Sequence, residues 1–142
     1  MKPHVLIFEN SDILRSTLSR IISNLEYEVK AFSNPDTSPY SYSSIHNSHF
    51  ANSSPNIIIS DVFLPPINEY EVLGLQKVDK LKFLAFMPAD WNEADIYYAE
   101  KIGCKVFKKP FDLKDLLKWI ENCRKQIDQK NSLLNKFNRR GI

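Results

Sequence analysis

Hydrophobic residues fall along this chain in short continuous runs, and three of the runs end on polar groups. Val5-Leu6-Ile7-Phe8 leads into Glu9-Asn10, Ile57-Ile58-Ile59-Ser60 into Asp61, and Val106-Phe107 into Lys108-Lys109 just before Pro110. Runs rich in Val, Ile and Phe without polar alternation are the pattern of strands covered on both faces of a parallel sheet. Lys82-Phe83-Leu84-Ala85-Phe86-Met87 is a fourth such strand, and Tyr27-Glu28-Val29-Lys30-Ala31-Phe32 alternates as a less buried one. Between the strands the apolar period changes. Ser11-Asp12 can cap a helix carrying Ile13, Leu14, Leu18, Ile21, Ile22 and Leu25 at helical spacing. Further helices are predicted over about 69–78, over about 91–102 with Gly103 as the stop, and onward from Asp112 as N-cap. The segment 33–56, rich in Ser, Asn and Pro, reads as a long loop with one weak helix near 45–50. Leu64-Pro65-Pro66-Ile67 reads as a rigid turn. Alternating strands and helices with short connections mean βαβ units, hence a parallel sheet with helices on both faces.

Composition narrows the function classes. The 142 residues make one domain, long enough to bury roughly two-thirds of the unfolded surface. A net charge of +2 makes no case for nucleic acid or an anionic membrane as the main partner. No apolar run approaches the roughly 20 residues of a membrane span, and Met1-Lys2-Pro3-His4 lacks a signal-peptide core, so a cytoplasmic protein is expected. Cys104 and Cys123 form no CxxC motif and read as free, buried thiols. His4, His46 and His49 show no metal-ligand spacing with either cysteine.

The polar strand ends carry the chemistry. In doubly wound sheets, ligands collect in the crevice beyond the carboxyl ends of the strands. Glu9, Asn10, Asp61 and Lys109, far apart in sequence, are therefore expected in one site. Each also has a plainer reading: Asn10 as a helix cap, Asp61 as a loop carboxylate, Lys109 as a surface lysine like Lys108. A catalytic Ser/His/Asp or Cys/His set is not readable, and a cofactor-binding enzyme is disfavoured. The chain has only Gly74, Gly103 and Gly141, too few for a phosphate-cradling loop.

The segments HVLIFEN, PNIIISDVFLPPINEYEVL, AEKIGC and VFKKPFDLKDLLKWI, spanning about residues 5–120, together resemble the response-regulator receiver domain. No one of them is specific; their order and placement at successive strand ends are. The resemblance implies a flavodoxin-like, five-stranded parallel sheet in order 2-1-3-4-5, with a cis Lys109-Pro110 bond. It implies that Asp61 accepts a phosphoryl group from a histidine kinase or phosphotransfer protein. It places magnesium between Asp61, Glu9, Asn10 and the backbone carbonyl of Phe63, with Lys109 touching the phosphoryl oxygens. Any enzyme activity is then at most autocatalysed transfer to Asp61 and slow dephosphorylation. A carboxylate attacking an anionic phosphoryl group meets like-charge repulsion, which a metal ion and an ammonium offset.

The departures from that pattern bear on activity. The family usually has two carboxylates where this chain has Glu9-Asn10, so one formal charge is gone and weaker magnesium binding is expected. The longer Glu9 is expected to reach the metal and compensate in part. Met87 stands where a Ser or Thr hydroxyl usually holds the phosphoryl group, and a thioether cannot donate a hydrogen bond. Val106 takes the place of the usual switching Tyr or Phe, with Phe107 as a substitute if the chain is one residue shorter after Gly103. Pro66, Glu69 and Glu26 stand where glycine is often found. The alternative to a phosphorylated receiver is thus a phosphorylation-independent pseudo-receiver serving as a protein-interaction module.

Two helical features stay open to packing. One face of the 91–102 helix must cover the sheet, and adjacent Tyr97 and Tyr98 cannot both do so. In the last helix, Leu113, Leu116, Ile120, Cys123, Ile127, Leu134 and Phe137 follow alternating three- and four-residue steps, broken only at Lys130. We divide the chain into a receiver domain, 1–122, and a basic extension, 123–142, expected to project as a helix to about Leu134 and to pair with a second chain as a homodimer.

Overall fold

The computed structural model describes residues 2–34, 55–62, 83–101 and 103–140. Among them are five strands: β1 (His4–Phe8), β2 (Glu28–Phe32), β3 (Ile57–Ser60), β4 (Phe83–Phe86) and β5 (Lys105–Val106). The helices are α1 (Asp12–Asn24), α2 (Glu93–Lys101) and α3 (Leu113–Arg140). The strands form one parallel sheet in the order β2-β1-β3-β4-β5, as expected.

Side-chain alternation along the strands builds two apolar layers. Val5, Ile7, Ile57, Ile59 and Ala85 pack with Leu18 and Ile22 of α1 and with Leu116, Ile120, Cys123 and Ile127 of α3. On the other face Leu6, Phe8, Ile58, Leu84 and Phe86 pack with Ala99 of α2 and with Cys104. Ile7, Phe8, Ile57 and Ile59 are completely enclosed, which explains runs without polar alternation. Burial of each such side chain contributes roughly 1.5–3 kcal/mol.

Local chemistry accounts for the helix ends. Ser11 is the N-cap of α1, its hydroxyl accepting from the Leu14 N–H at 3.2 Å. Asp112 caps α3 in the same way, accepting from the Lys114 N–H at 2.9 Å. Gly103 follows α2 with φ of 98°, where a Cβ would be disfavoured. Glu26 sits at φ of 67° in the turn into β2, a non-glycine residue in the left-handed region.

Several expectations are corrected. The fifth strand is Lys105–Val106, one residue earlier than the expected run Val106-Phe107. Phe107 leaves the ladder after one further bond, its N–H donating to the Phe86 carbonyl at 2.8 Å. Ile13, assigned by spacing to the apolar face of α1, is 83% exposed. Trp91 packs on Phe86 with ring centroids 5.3 Å apart, whereas Tyr97 and Tyr98 both face solvent. Most of the 33–56 loop, the Leu64-Pro65-Pro66-Ile67 turn, Glu69 and the 69–78 helix lie outside the described residues.

The last helix is continuous across the expected boundary at residue 123. Cys123 and Ile127 remain in the core, and beyond them Leu133, Leu134 and Phe137 are exposed. Arg124 fastens this region to the α1–β2 corner: it donates to the Glu26 carbonyl at 3.0 Å and lies 5.0 Å over the Tyr27 ring. The Tyr27 hydroxyl donates to the Ile120 carbonyl at 3.3 Å.

Candidate functional site

Strand register brings the polar strand ends level. Phe8 is paired with Ser60, and Ser60 with Phe86. The ladder runs one residue further, with the Asp61 N–H donating to the Phe8 carbonyl at 2.9 Å and the Met87 N–H to the Ser60 carbonyl at 2.8 Å. Glu9 and Asp61 therefore leave adjacent strands at one height. Lys109 arrives from the segment after β5, held by its N–H on the Pro88 carbonyl at 2.8 Å, and its bond to Pro110 is cis, as expected.

The two carboxylates hold the β1–α1 connection between them. Asp61 Oδ2 accepts from the Asn10 N–H at 2.8 Å, and Glu9 Oε2 from the Ser11 N–H at 2.9 Å. Glu9 Oε1 meets Lys109 Nζ at 2.6 Å, and the Glu9 side chain is only 1% exposed. Arg15 reaches the same corner, donating from Nη1 to the Glu9 carbonyl at 2.9 Å and from Nη2 to Asp12 at 2.6 Å. Asp61 is half-buried, and its Oδ1 is enclosed with no hydrogen-bond donor among the described residues. Burial raises its pKa above the usual carboxylate value; the Asn10 N–H and Lys109 oppose the rise, and the Glu9 charge adds to it.

Glu9, Asn10, Asp61 and Lys109 thus meet as the strand-end pattern predicts, but in an arrangement the sequence did not disclose. Glu9 bonds the lysine and a backbone N–H, and the contact of Asn10 with Asp61 is through its own N–H. Three supporting residues went unrecognised as such. The Ser60 hydroxyl donates to the Val62 carbonyl at 2.7 Å and accepts the Val62 N–H at 3.2 Å, closing a tight turn that presents Asp61. Its place before a strand-end aspartate was the available signal. Ser11 and Arg15 could have been suspected only from their distances to the strand end.

Met87 is fully buried in the layer under α1 and α3. Val106 is half-buried on the opposite layer, against the cluster holding Phe86 and Ala99. Phe107 points the other way, its ring 5.9 Å from Phe111 and 6.0 Å from Trp119. Strand alternation therefore rules out Phe107 as a substitute for Val106 on the α2 face.

The donors suit a hard divalent ion in kind, being oxygen throughout. Asp61 Oδ1 has no donor among the described residues but is enclosed, so an ion would reach it only after the side chain turned outward. Both Glu9 oxygens are already engaged, by Lys109 and by the Ser11 N–H, and Phe63 lies outside the described residues. Among the described residues no group of three or more His, Cys, Asp and Glu side chains gathers to hold a metal.

No family model matches the sequence. No curated protein matches it either. Solved structures do. The non-phosphorylated HemR receiver domain from Leptospira biflexa is 20% identical with a TM-score of 0.61, over 86% of this chain and 94% of that one. A response regulator from Thermotoga maritima is 16% identical with a TM-score of 0.60, over 87% and 98%. A chemotaxis protein from Vibrio cholerae is 19% identical with a TM-score of 0.58, over 87% and 99%. With its strand order, its two helical layers and its polar strand ends, this chain has the fold of the response-regulator receiver domains.

Proposed function

We propose that the chain is a response-regulator receiver in which Asp61 accepts a phosphoryl group from a histidine kinase or phosphotransfer protein in the cytoplasm. The observation that carries this reading is Asp61 itself. One of its oxygens accepts from the Asn10 N–H and the other is enclosed without a donor among the described residues, at the carboxyl ends of β1 and β3 beside the Glu9–Lys109 pair. In the transfer, the Asp61 carboxylate turns outward and one of its oxygens forms a bond to phosphorus as the bond to the donor's nitrogen breaks, and that electron pair leaves with the donor. The Asn10 N–H keeps the carboxylate oriented, and Lys109 can turn toward the incoming phosphoryl oxygens. Magnesium, held by Asp61, Glu9, the Asn10 side-chain oxygen and the Phe63 carbonyl, would supply further charge neutralisation.

The second reading is a pseudo-receiver acting through its surface, and the burial of Met87 in apolar core favours it. No hydroxyl stands there to couple a phosphoryl group to the α2 face. In either reading α3 is the expected homodimer element, offering Leu133, Leu134 and Phe137 to a second chain. Among the described residues no helix is long and apolar enough to cross a membrane. Acetyl phosphate with magnesium should add one phosphoryl mass to the intact protein and none to Asp61→Asn. An unmodified parent protein would leave the pseudo-receiver reading.

A further inference from the structure

Glu9 is one methylene longer than an aspartate would be, and the structure shows what the length does. Its Oε2 closes on the Ser11 N–H at 2.9 Å while Oε1 reaches Lys109 Nζ at 2.6 Å. Arg15 holds the carbonyl of the same residue. A side chain shorter by about 1.5 Å, one carbon–carbon bond, could not keep both contacts; at about 4 Å the ammonium contact is no longer a hydrogen bond. Lys109 goes to the more buried of the two carboxylates. The Glu9 side chain is 1% exposed and would be a buried, unpaired charge without the lysine. Asp61 is less buried and already has the Asn10 N–H.

We propose that Glu9 is a positioning residue that keeps Lys109 as the built-in counter-ion of the site, so that a divalent cation must displace the ammonium to engage Glu9. This rests on the receiver reading, deepens it, and reverses the expectation that the longer side chain compensates for Asn10. The side chain reaches the lysine, and the metal meets a competitor. Two carboxylates and one ammonium leave a single net negative charge, so the cluster persists without metal.

The test compares the full-length parent with Glu9→Asp, which changes length and not charge. Calorimetric titration should show magnesium binding about tenfold tighter in the variant, equivalent to about 1.4 kcal/mol. The metal-free variant should melt at a lower temperature, because the buried pair is broken. A side chain that serves only packing would lower the melting temperature without tightening magnesium. Equal or weaker affinity in the variant overturns the proposal, as does a failure of both proteins to bind magnesium.

A second measurement needs no variant. Reductive methylation of lysines, read by peptide mass spectrometry, should be slow at Lys109 in the metal-free parent and several-fold faster with magnesium, with Lys108 and Lys118 unchanged. An unaltered Lys109 rate at saturating magnesium overturns the proposal. Acetyl phosphate treatment of both proteins separates the two ideas. Tighter magnesium in Glu9→Asp without phosphate on either protein refutes the phosphoacceptor and leaves the role of Glu9. Phosphorylation of Asp61 with equal magnesium affinities does the reverse.

Discussion

Asp61 is held at the strand end against its own electrostatic preference. Burial and the nearby Glu9 raise its pKa, so the folded state binds this proton more readily than the unfolded chain does. Stability from this source is whole below the unfolded carboxylate value of about 3.9 and is lost as pH rises through the raised one. Asp61→Asn should therefore raise the melting temperature at pH 7, with the gain vanishing near pH 3. Thermal scans at both values check this; an equal gain at both would remove titration as the cause. Asn10→Asp should tighten magnesium binding by restoring a ligand charge, measured by calorimetry. Met87→Thr would not simply restore a switch. It buries a hydroxyl where a fully enclosed thioether packs, at a cost of about 1–3 kcal/mol in denaturant unfolding.

At the scale of elements, α1 and α3 show where periodicity informs and where it does not. Leu18, Ile22, Leu116, Ile120, Cys123 and Ile127 are buried as their spacing requires. Ile13 has the same spacing yet faces solvent, and none of the described core residues packs over it. In α3 the seam continues past Ile127, but the sheet beneath it does not. The exposed Leu133, Leu134 and Phe137 are the basis for the proposed dimer, and light scattering at high protein concentration should give twice the chain mass; a monomer would refute it. Glu26 occupies a left-handed turn while its carbonyl accepts from Arg124. Glu26→Gly keeps that carbonyl and removes the Cβ clash, and should stabilise the fold by about 0.5–1 kcal/mol. Destabilisation in urea unfolding would show that the turn gains nothing from glycine's freedom.

At the scale of the molecule, the two cysteines report on both apolar layers. Burial pushes Cys104 up to about 11 and Cys123 up to about 12, and it raises Tyr27 as well. The raised values mean stability is whole below the unfolded thiol value of about 8.5 and declines as pH climbs toward 11 and 12. Global stability should fall steadily above pH 9, and Cys104→Ala with Cys123→Ala should lessen that slope, as urea midpoints across pH would show. An unchanged slope would assign the alkaline loss to other groups.

The sequence by itself determined the layered fold, because continuous Val, Ile and Phe runs have few stable arrangements other than strands covered on both sides. It also determined that Glu9, Asn10, Asp61 and Lys109 share a crevice, since parallel strands deliver their carboxyl ends to one edge. Only the tertiary structure decided what these groups do to one another. Lys109 could have faced either carboxylate, and the deeper burial of Glu9 settled it. Phe107 and Val106 were equivalent as letters until the pleat sent them to opposite layers. Met87 became core because β4 is central in the sheet, between β3 and β5. Spacing along a chain specifies which face a side chain takes, but competition between neighbours for one ammonium or one hydrogen is a property of distances, and distances exist only after folding.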